Sequence, residues 1–319
     1  MSTAQLEGSR SARPSTPVGS SGSAGAAGPG ASGLRAKSGG RAARDLIARV
    51  LMWTAFFVAV IPLVWILGST LLKGGQMLLD SQWWTNSQAG ITARRVGGGA
   101  AHAIQGTLMQ ALVTALMSVP IGVMTAVYLV EYGRGRLARL ISFMVDILTG
   151  IPSIVAALFI YALWVSTIGL QRVPFAVTLA LTILMIPTVV RSTEEMLKLV
   201  PNELREASYA LGVPKWKTIV KVVLPTAFSG IVTGILLGLA RVMGETAPLI
   251  ILGPYTKVMA GNLFDGLMAT LPTMINQDRA ENLQPALDRV WGAALTLILL
   301  IFVLNLLGRF IGRFSKVKG

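Results

Sequence analysis

ELREASYALGVPKWKTIVKVVLPTAFSGIVTGILLGLA, residues 203–240, passes from a polar, helix-forming segment into an apolar run fit for a lipid bilayer. Residues Glu203 to Leu211 are good helix formers with few β-branched side chains. Gly212 stands where a helix can end in the left-handed conformation, and Pro214 blocks easy continuation. Beyond that break Trp216, Ile219, Val220 and Val223 recur at three- and four-residue steps, while Lys215, Lys217 and Lys221 mark a basic side. The pattern predicts a short helix, a sharp turn, and a second amphipathic helix that leads to Pro225, all lying along a membrane surface. Read from the pattern alone, such a segment is also an ordinary basic anchor at lipid headgroups.

The rest of the chain agrees with a membrane setting. Apolar residues make up 53% of its 319 residues and charged ones 13%. Crossing the hydrocarbon takes about 20 apolar residues as a helix. Six segments approach or exceed that, at 50–72, 104–130, 140–165, 173–190, 227–252 and 290–307. Such continuous apolarity does not suit a β-barrel, whose strands alternate. The expected fold class is an all-α membrane protein with six transmembrane helices. Residues 1–43, rich in Ser, Gly, Ala and Pro, hold too few apolar groups to bury a core and are expected to be a disordered cytoplasmic tail. Residues 44–319 form the transmembrane domain. The first span is longer than a signal-peptide core and is expected to stay uncleaved.

Orientation follows from Lys and Arg, which are retained on the cytoplasmic side. With the amino terminus inside, only Lys73, Arg94, Arg95, Arg172, Lys257, Arg279 and Arg289 of the 28 basic residues fall in outer segments, and Arg241 falls within a span. Both termini are therefore expected in the cytoplasm, as is the polar loop at about 193–225. The net charge of +14 is explained by this asymmetry and by attraction to anionic lipid, so nucleic acid is not an expected partner. With no cysteine, a single histidine (His102, expected at the outer interface) and no GxxxxGK[ST] loop, the residues offer no catalytic site, metal site or cofactor site. The chain is not expected to be an enzyme.

Charges inside spans are costly and call for a partner or a water-lined path. Arg241 and Glu245, four apart on one face of the fifth span, can pair. Counting about 1.5 Å per residue from Ala227 puts Arg241 roughly 21 Å along that span, buried in the bilayer. A guanidinium fork can give two parallel hydrogen bonds to a tetrahedral oxyanion, and a carboxylate beside it weakens the hold, as conduction requires. The pair therefore either lines a translocation path or locks the fifth span to its neighbours. Asp146, near the inner end of the third span, can meet Arg191 or Arg139 or stay wetted. Gly150, Pro152 and Pro187 interrupt spans where helices can pivot, although such residues are common in membrane helices. Gly230, Gly234 and Gly238 recur at four-residue steps and suit close helix packing. Trp83 and Trp84 read as an interfacial anchor or a short outer helix.

Two sets of residues resemble known families. Glu206, Ala207, Ser208 and Gly212, followed by Val222, Leu224 and Pro225, resemble the EAA loop of ABC importer permeases; Ser208 and Val222 depart from its usual Ala and Ile. The run GILLGLARVMGETAPLI at 234–250, carrying Arg241, Gly244, Glu245, Thr246, Ala247 and Pro248, is similar to the matching span of phosphate importer permeases. GTLMQAL at 106–112, YLVEYG at 128–133 and GIPSIVAALF at 150–159 also look like segments of that family. The unbroken GETAPL resembles one of that family's two permease subunits more than its PstC-like partner.

The resemblance implies a type I ABC importer permease in a bacterial inner membrane. It works beside a second, PstC-like permease, two PstB-like ATPase subunits and an extracytoplasmic, PstS-like phosphate-binding protein. It also implies a coupling role for Glu206, Ala207, Ser208 and Gly212, and a place in the substrate path for Arg241, Glu245 and Thr246. Three other readings stay open. One is import of a different oxyanion, such as sulfate or molybdate. Another is an ion-driven secondary transporter, for which no inverted repeat is visible. The third is a membrane scaffold for phosphate signalling.

Overall fold

A computed structural model describes residues 39–314 and contains, among them, helices and no strands. Residues 1–38 of the expected tail lie outside the described residues, whereas 39–43 already belong to a helix. The described residues divide into two units, 39–61 and 62–314. In the first, the helix exposes its apolar side chains, among them Trp53, Phe56 and Phe57, whose ring centroids lie 5.6–6.0 Å apart.

Along the chain the helices are α1 (Gly39–Leu79), α2 (Ser81–Thr85), α3 (Ala101–Val127), α4 (Gly135–Gly150), α5 (Ser153–Ile160), α6 (Pro174–Lys198), α7 (Asn202–Ala210), α8 (Lys215–Thr218), α9 (Leu224–Met243), α10 (Ala247–Leu252), α11 (Leu271–Glu281) and α12 (Gln284–Phe314). Wider π turns extend α3 through Tyr128–Tyr132 and α5 through Tyr161–Thr167, and another at Ile219–Val223 joins α8 to α9. Among the described residues five helical stretches are long and apolar enough to cross a membrane, six if the bent α4–α5 pair is one span.

The centre is α6, which is apolar on nearly every face and packs against α3, α5 and α9. Glycines set its closest approaches. A Cβ on Gly230 would meet Met196 Sδ at 2.2 Å, one on Gly234 Ser192 Cβ at 2.4 Å, and one on Gly238 Thr188 Cγ2 at 3.4 Å. As α9 climbs by four residues, α6 descends by four, so the glycine rhythm read in the sequence is the seam of an antiparallel pair. On α6's other side, Gly122 of α3 leaves room for Val189. A second cluster (Ala126, Val145, Leu197, Val200, Val223, Ala227) closes the end that bears α7, and a third (Trp83, Ala100, Ala103, Leu271, Met274, Ala293) closes the opposite end.

Two spans differ from their expected course. The third, expected as one helix over 140–165, is broken: α4 and α5 meet at 106°. Ile151 is extended (φ −71°, ψ 126°), because the ring of Pro152 disfavours helical geometry in the residue before it. Gly150 and Pro152 thus mark a corner. Pro187, by contrast, sits inside the continuous helix α6. The fifth span, expected to run to 252, stops at Met243. Gly244 and Glu245 tighten the last turn with N–H bonds to the carbonyls of Arg241 (3.1 Å) and Val242 (3.2 Å), and α10 restarts with Pro248 in its first turn. The amphipathic helix that leads to Pro225 runs on past it. The π turn at Ile219–Val223 absorbs the proline's missing donor and ring bulk, and the helix continues into α9 as one stretch, Lys215–Met243.

Candidate functional site

The polar segment folds as a bent element. Helix α7 ends at Ala210 with Leu211 as its C-cap, and Gly212 adopts φ +74°, donating its N–H to the Tyr209 carbonyl at 2.9 Å, while Val213 N–H reaches the Ser208 carbonyl at 3.2 Å. That reversal lets Pro214 open α8 at once. The two arms are joined by a buried bond, Ser208 Oγ to Thr218 Oγ1 at 2.8 Å. The serine that departs from the usual alanine therefore has a task, closing the bend. Glu206, Ala207, Tyr209 and Gly212 are exposed, and Leu211 is 83% exposed, so the apex presents an unpartnered, partly apolar face.

Polar contacts strap the element to the spans. Arg205 donates from Nε and Nη2 to Glu131 Oε1 (3.1 and 2.8 Å) and from Nη2 and Nη1 to the carbonyls of Leu197 (3.0 Å) and Val200 (2.7 Å), capping the end of α6. Lys215 donates from Nζ to the Glu131 carbonyl and lies 4.7 Å from the Tyr132 ring centroid, within cation–π range. One span further, Arg191 of α6 pairs with Asp146 of α4 and with Glu194 (2.7 Å), and reaches Ser142 Oγ at 3.2 Å. Asp146 thus finds Arg191, one of the two partners expected, and ties α4 to α6.

The second place of interest is the break after α9. Arg241, in the last turn, has its Nε 3.9 Å from Glu245 Oε1, with the side chains 58% and 18% exposed. Among the described residues its guanidinium makes this ion pair and no hydrogen bond. The arginine stands at the end of α9, open on the side away from this chain's other helices. Thr246 follows at the break and accepts the Ile250 N–H at its carbonyl (3.0 Å). The structure therefore brings Arg241, Glu245 and Thr246 together, apart from the group at Glu206, Ala207, Ser208 and Gly212.

Sequence reading missed two features. Glu131 and Arg205, 74 positions apart, form a pair only 5% and 12% exposed. At the end opposite α7, Arg289 and Asp278 form an ion pair at 3.2 Å with both side chains 1% exposed. Gln88 donates to the same carboxylate oxygen at 2.8 Å, Tyr255 donates to Gln88 Oε1 at 3.2 Å, and Arg289 Nη1 donates to the Arg95 carbonyl at 3.0 Å. Burial, and then the nearby Asp278 charge, push the Tyr255 hydroxyl well above the usual phenol range. These bonds knot the loop before α3 to α11 and α12. His102 is buried beside them, and Trp83 is buried with its indole N–H on Thr296 Oγ1 at 2.9 Å, while Trp84 stays exposed.

Residues 118–316 match the family described as binding-protein-dependent transport system inner membrane component. The chain is 51% identical, over 86% of its length and 90% of the relative's, to the phosphate transport system permease protein PstA of Mycobacterium leprae. It is 53% identical to phosphate transport system permease protein PstA 1 of Mycobacterium tuberculosis, over 83% and 88% of the two chains. To the PstA of Yersinia pestis it is 38% identical over 89% and 94%. Among solved structures, a chain of a bacterial alginate ABC transporter superposes with a TM-score of 0.62 at 15% identity, covering 86% of this chain and 96% of that one. A chain of the inward-facing MetNI methionine ABC transporter superposes with a TM-score of 0.58 at 22% identity, over 67% and 95%. These last two likenesses concern the fold.

Proposed function

Because the chain belongs to the family of binding-protein-dependent transport system inner membrane components, we propose that it is the permease subunit of an ATP-driven importer of inorganic phosphate. It is a transport component of the inner membrane, and the ATP hydrolysis falls to a separate subunit. The observation that carries this reading is the bent element. An exposed apex at Leu211 and Gly212 is joined by Ser208–Thr218, by Arg205 and by unbroken helix to three spans, so a push on the apex reaches the membrane. A motor that changes shape with its nucleotide and seats on that apex would tilt the spans. The names of the relatives at 51% and 53% identity support phosphate as cargo.

In this reading α7, α8 and both termini face the cytoplasm, consistent with the Lys and Arg asymmetry. Two ATPase subunits bind at Glu206, Ala207, Ser208 and Gly212. A second permease completes the path, and an extracytoplasmic binding protein delivers phosphate. Arg241, with Thr246 beside it, meets the anion through its open fork, and Glu245 keeps the hold weak. The corner at Gly150 and Pro152 fixes the third span, and Asp146 anchors it to Arg191.

The test is uptake of labelled phosphate into proteoliposomes holding the assembled importer and its binding protein. Uptake that requires ATP, survives collapse of ion gradients and resists competition by sulfate or molybdate is expected. ATP-independent uptake driven by an ion gradient would refute the importer, and equal competition by sulfate would refute the cargo.

A further inference from the structure

The bent element is covalently continuous with α6 through residues 199–201 and with α9 through the π turn at Ile219–Val223. The span formed by α3 and its π turn lies some seventy residues earlier, yet both arms of the element grip its last turn. Arg205 of α7 holds the Glu131 carboxylate, and Lys215 of α8 holds the carbonyl of the same residue. The final carbonyls of a helix have no intrahelical donor, and a cation there also offsets the negative end of the helix dipole. The Arg205–Glu131 pair is nearly closed to solvent, so losing one partner strands the other.

We propose that Glu131 is a positioning residue of the transport cycle, the joint through which displacement of the bent element reaches the second span. The inference rests on the reading of the apex as the ATPase seat. It adds that Glu131 carries the motion to α3 directly from both arms of the element, beside the packing of α6 on α3, because α3 is not joined to the element along the chain. Glu131→Gln keeps the side-chain shape and removes the charge that Arg205 grips. Lys215→Met removes the second grip and leaves the carboxylate in place.

The measurement is phosphate transported per ATP hydrolysed by the assembled importer with its binding protein in proteoliposomes, alongside retention of the ATPase subunits on purification. Glu131→Gln should keep those subunits bound and lower the ratio by about tenfold, the scale of a lost hydrogen bond to a charged group. Lys215→Met should lower it less, and Glu131→Asp should restore part of it. A Glu131→Gln importer with the wild-type ratio overturns the proposal, as does loss of the ATPase subunits from that variant, which would mark Glu131 as purely structural. A wild-type importer that fails to pump refutes the functional reading instead, so the two failures are told apart.

Discussion

Gly212 offers a clean perturbation, because a Cβ there would find nothing within 4 Å, while the backbone sits at φ +74°. Substitution therefore costs backbone strain and no collision. A left-handed L-residue costs about 1–2 kcal/mol, and a β-branched side chain falls at the upper end. Asparagine tolerates that region far better. At 25 °C such a strain shifts the balance between the bent and opened element by a factor of about 5–30. The affinity of the permease for its ATPase subunits, measured by surface capture of the detergent-solubilised chain, should fall in the order Gly, Asn, Ala, Val. Valine should weaken binding by up to about thirtyfold and asparagine by less than about threefold. Valine binding as tightly as glycine, or asparagine as weakly as valine, would refute the argument from backbone conformation.

Three further substitutions probe other parts of the account. Asp278→Asn leaves Arg289 charged and unpaired in a site 1% exposed, and should cost about 3–5 kcal/mol in thermal unfolding of the purified subunit; Asp278→Leu combined with Arg289→Leu should recover much of that. Gly234→Leu forces a Cβ to within 2.4 Å of Ser192 Cβ and should part α9 from α6, at about 1–3 kcal/mol or more, read as a lower melting temperature; Ser192→Gly in the same chain should give part of it back. Arg241→Gln should abolish phosphate uptake without loss of assembly, and Arg241→Lys should restore less than half, since a point charge cannot make the paired hydrogen bonds of the fork.

What the residues disclosed in advance was local or periodic. Gly212 with Pro214 specified a reversal, the four-residue glycine step specified a seam, and Asp146 had a cation within reach at Arg191. Direction was hidden. Hydropathy counts Leu140 through Val165 as one apolar run and is blind to the 106° corner that Ile151 and Pro152 impose, because a bend changes no residue's affinity for lipid. The stop after Met243 escaped for the same reason, with Gly244 and Pro248 embedded in a run that reads as continuous. Glu131 escaped because, at the edge of a span, its pattern is that of any interfacial acid, and its worth depends on Arg205, 74 positions away. The Asp278–Arg289 pair lies across the turn between α11 and α12, so its burial depends on Gln88 and the loop before α3 closing over it.

The chain contains no cysteine, so a single Leu211→Cys places one thiol on the exposed apex. Labelling it with a membrane-impermeant maleimide, in intact cells and in inside-out vesicles, and then crosslinking from the same thiol, asks whether the apex meets a nucleotide-driven subunit. The account predicts labelling only in inside-out vesicles and a crosslinked product that contains an ATP-binding protein. Labelling in intact cells, or a product without one, would contradict it.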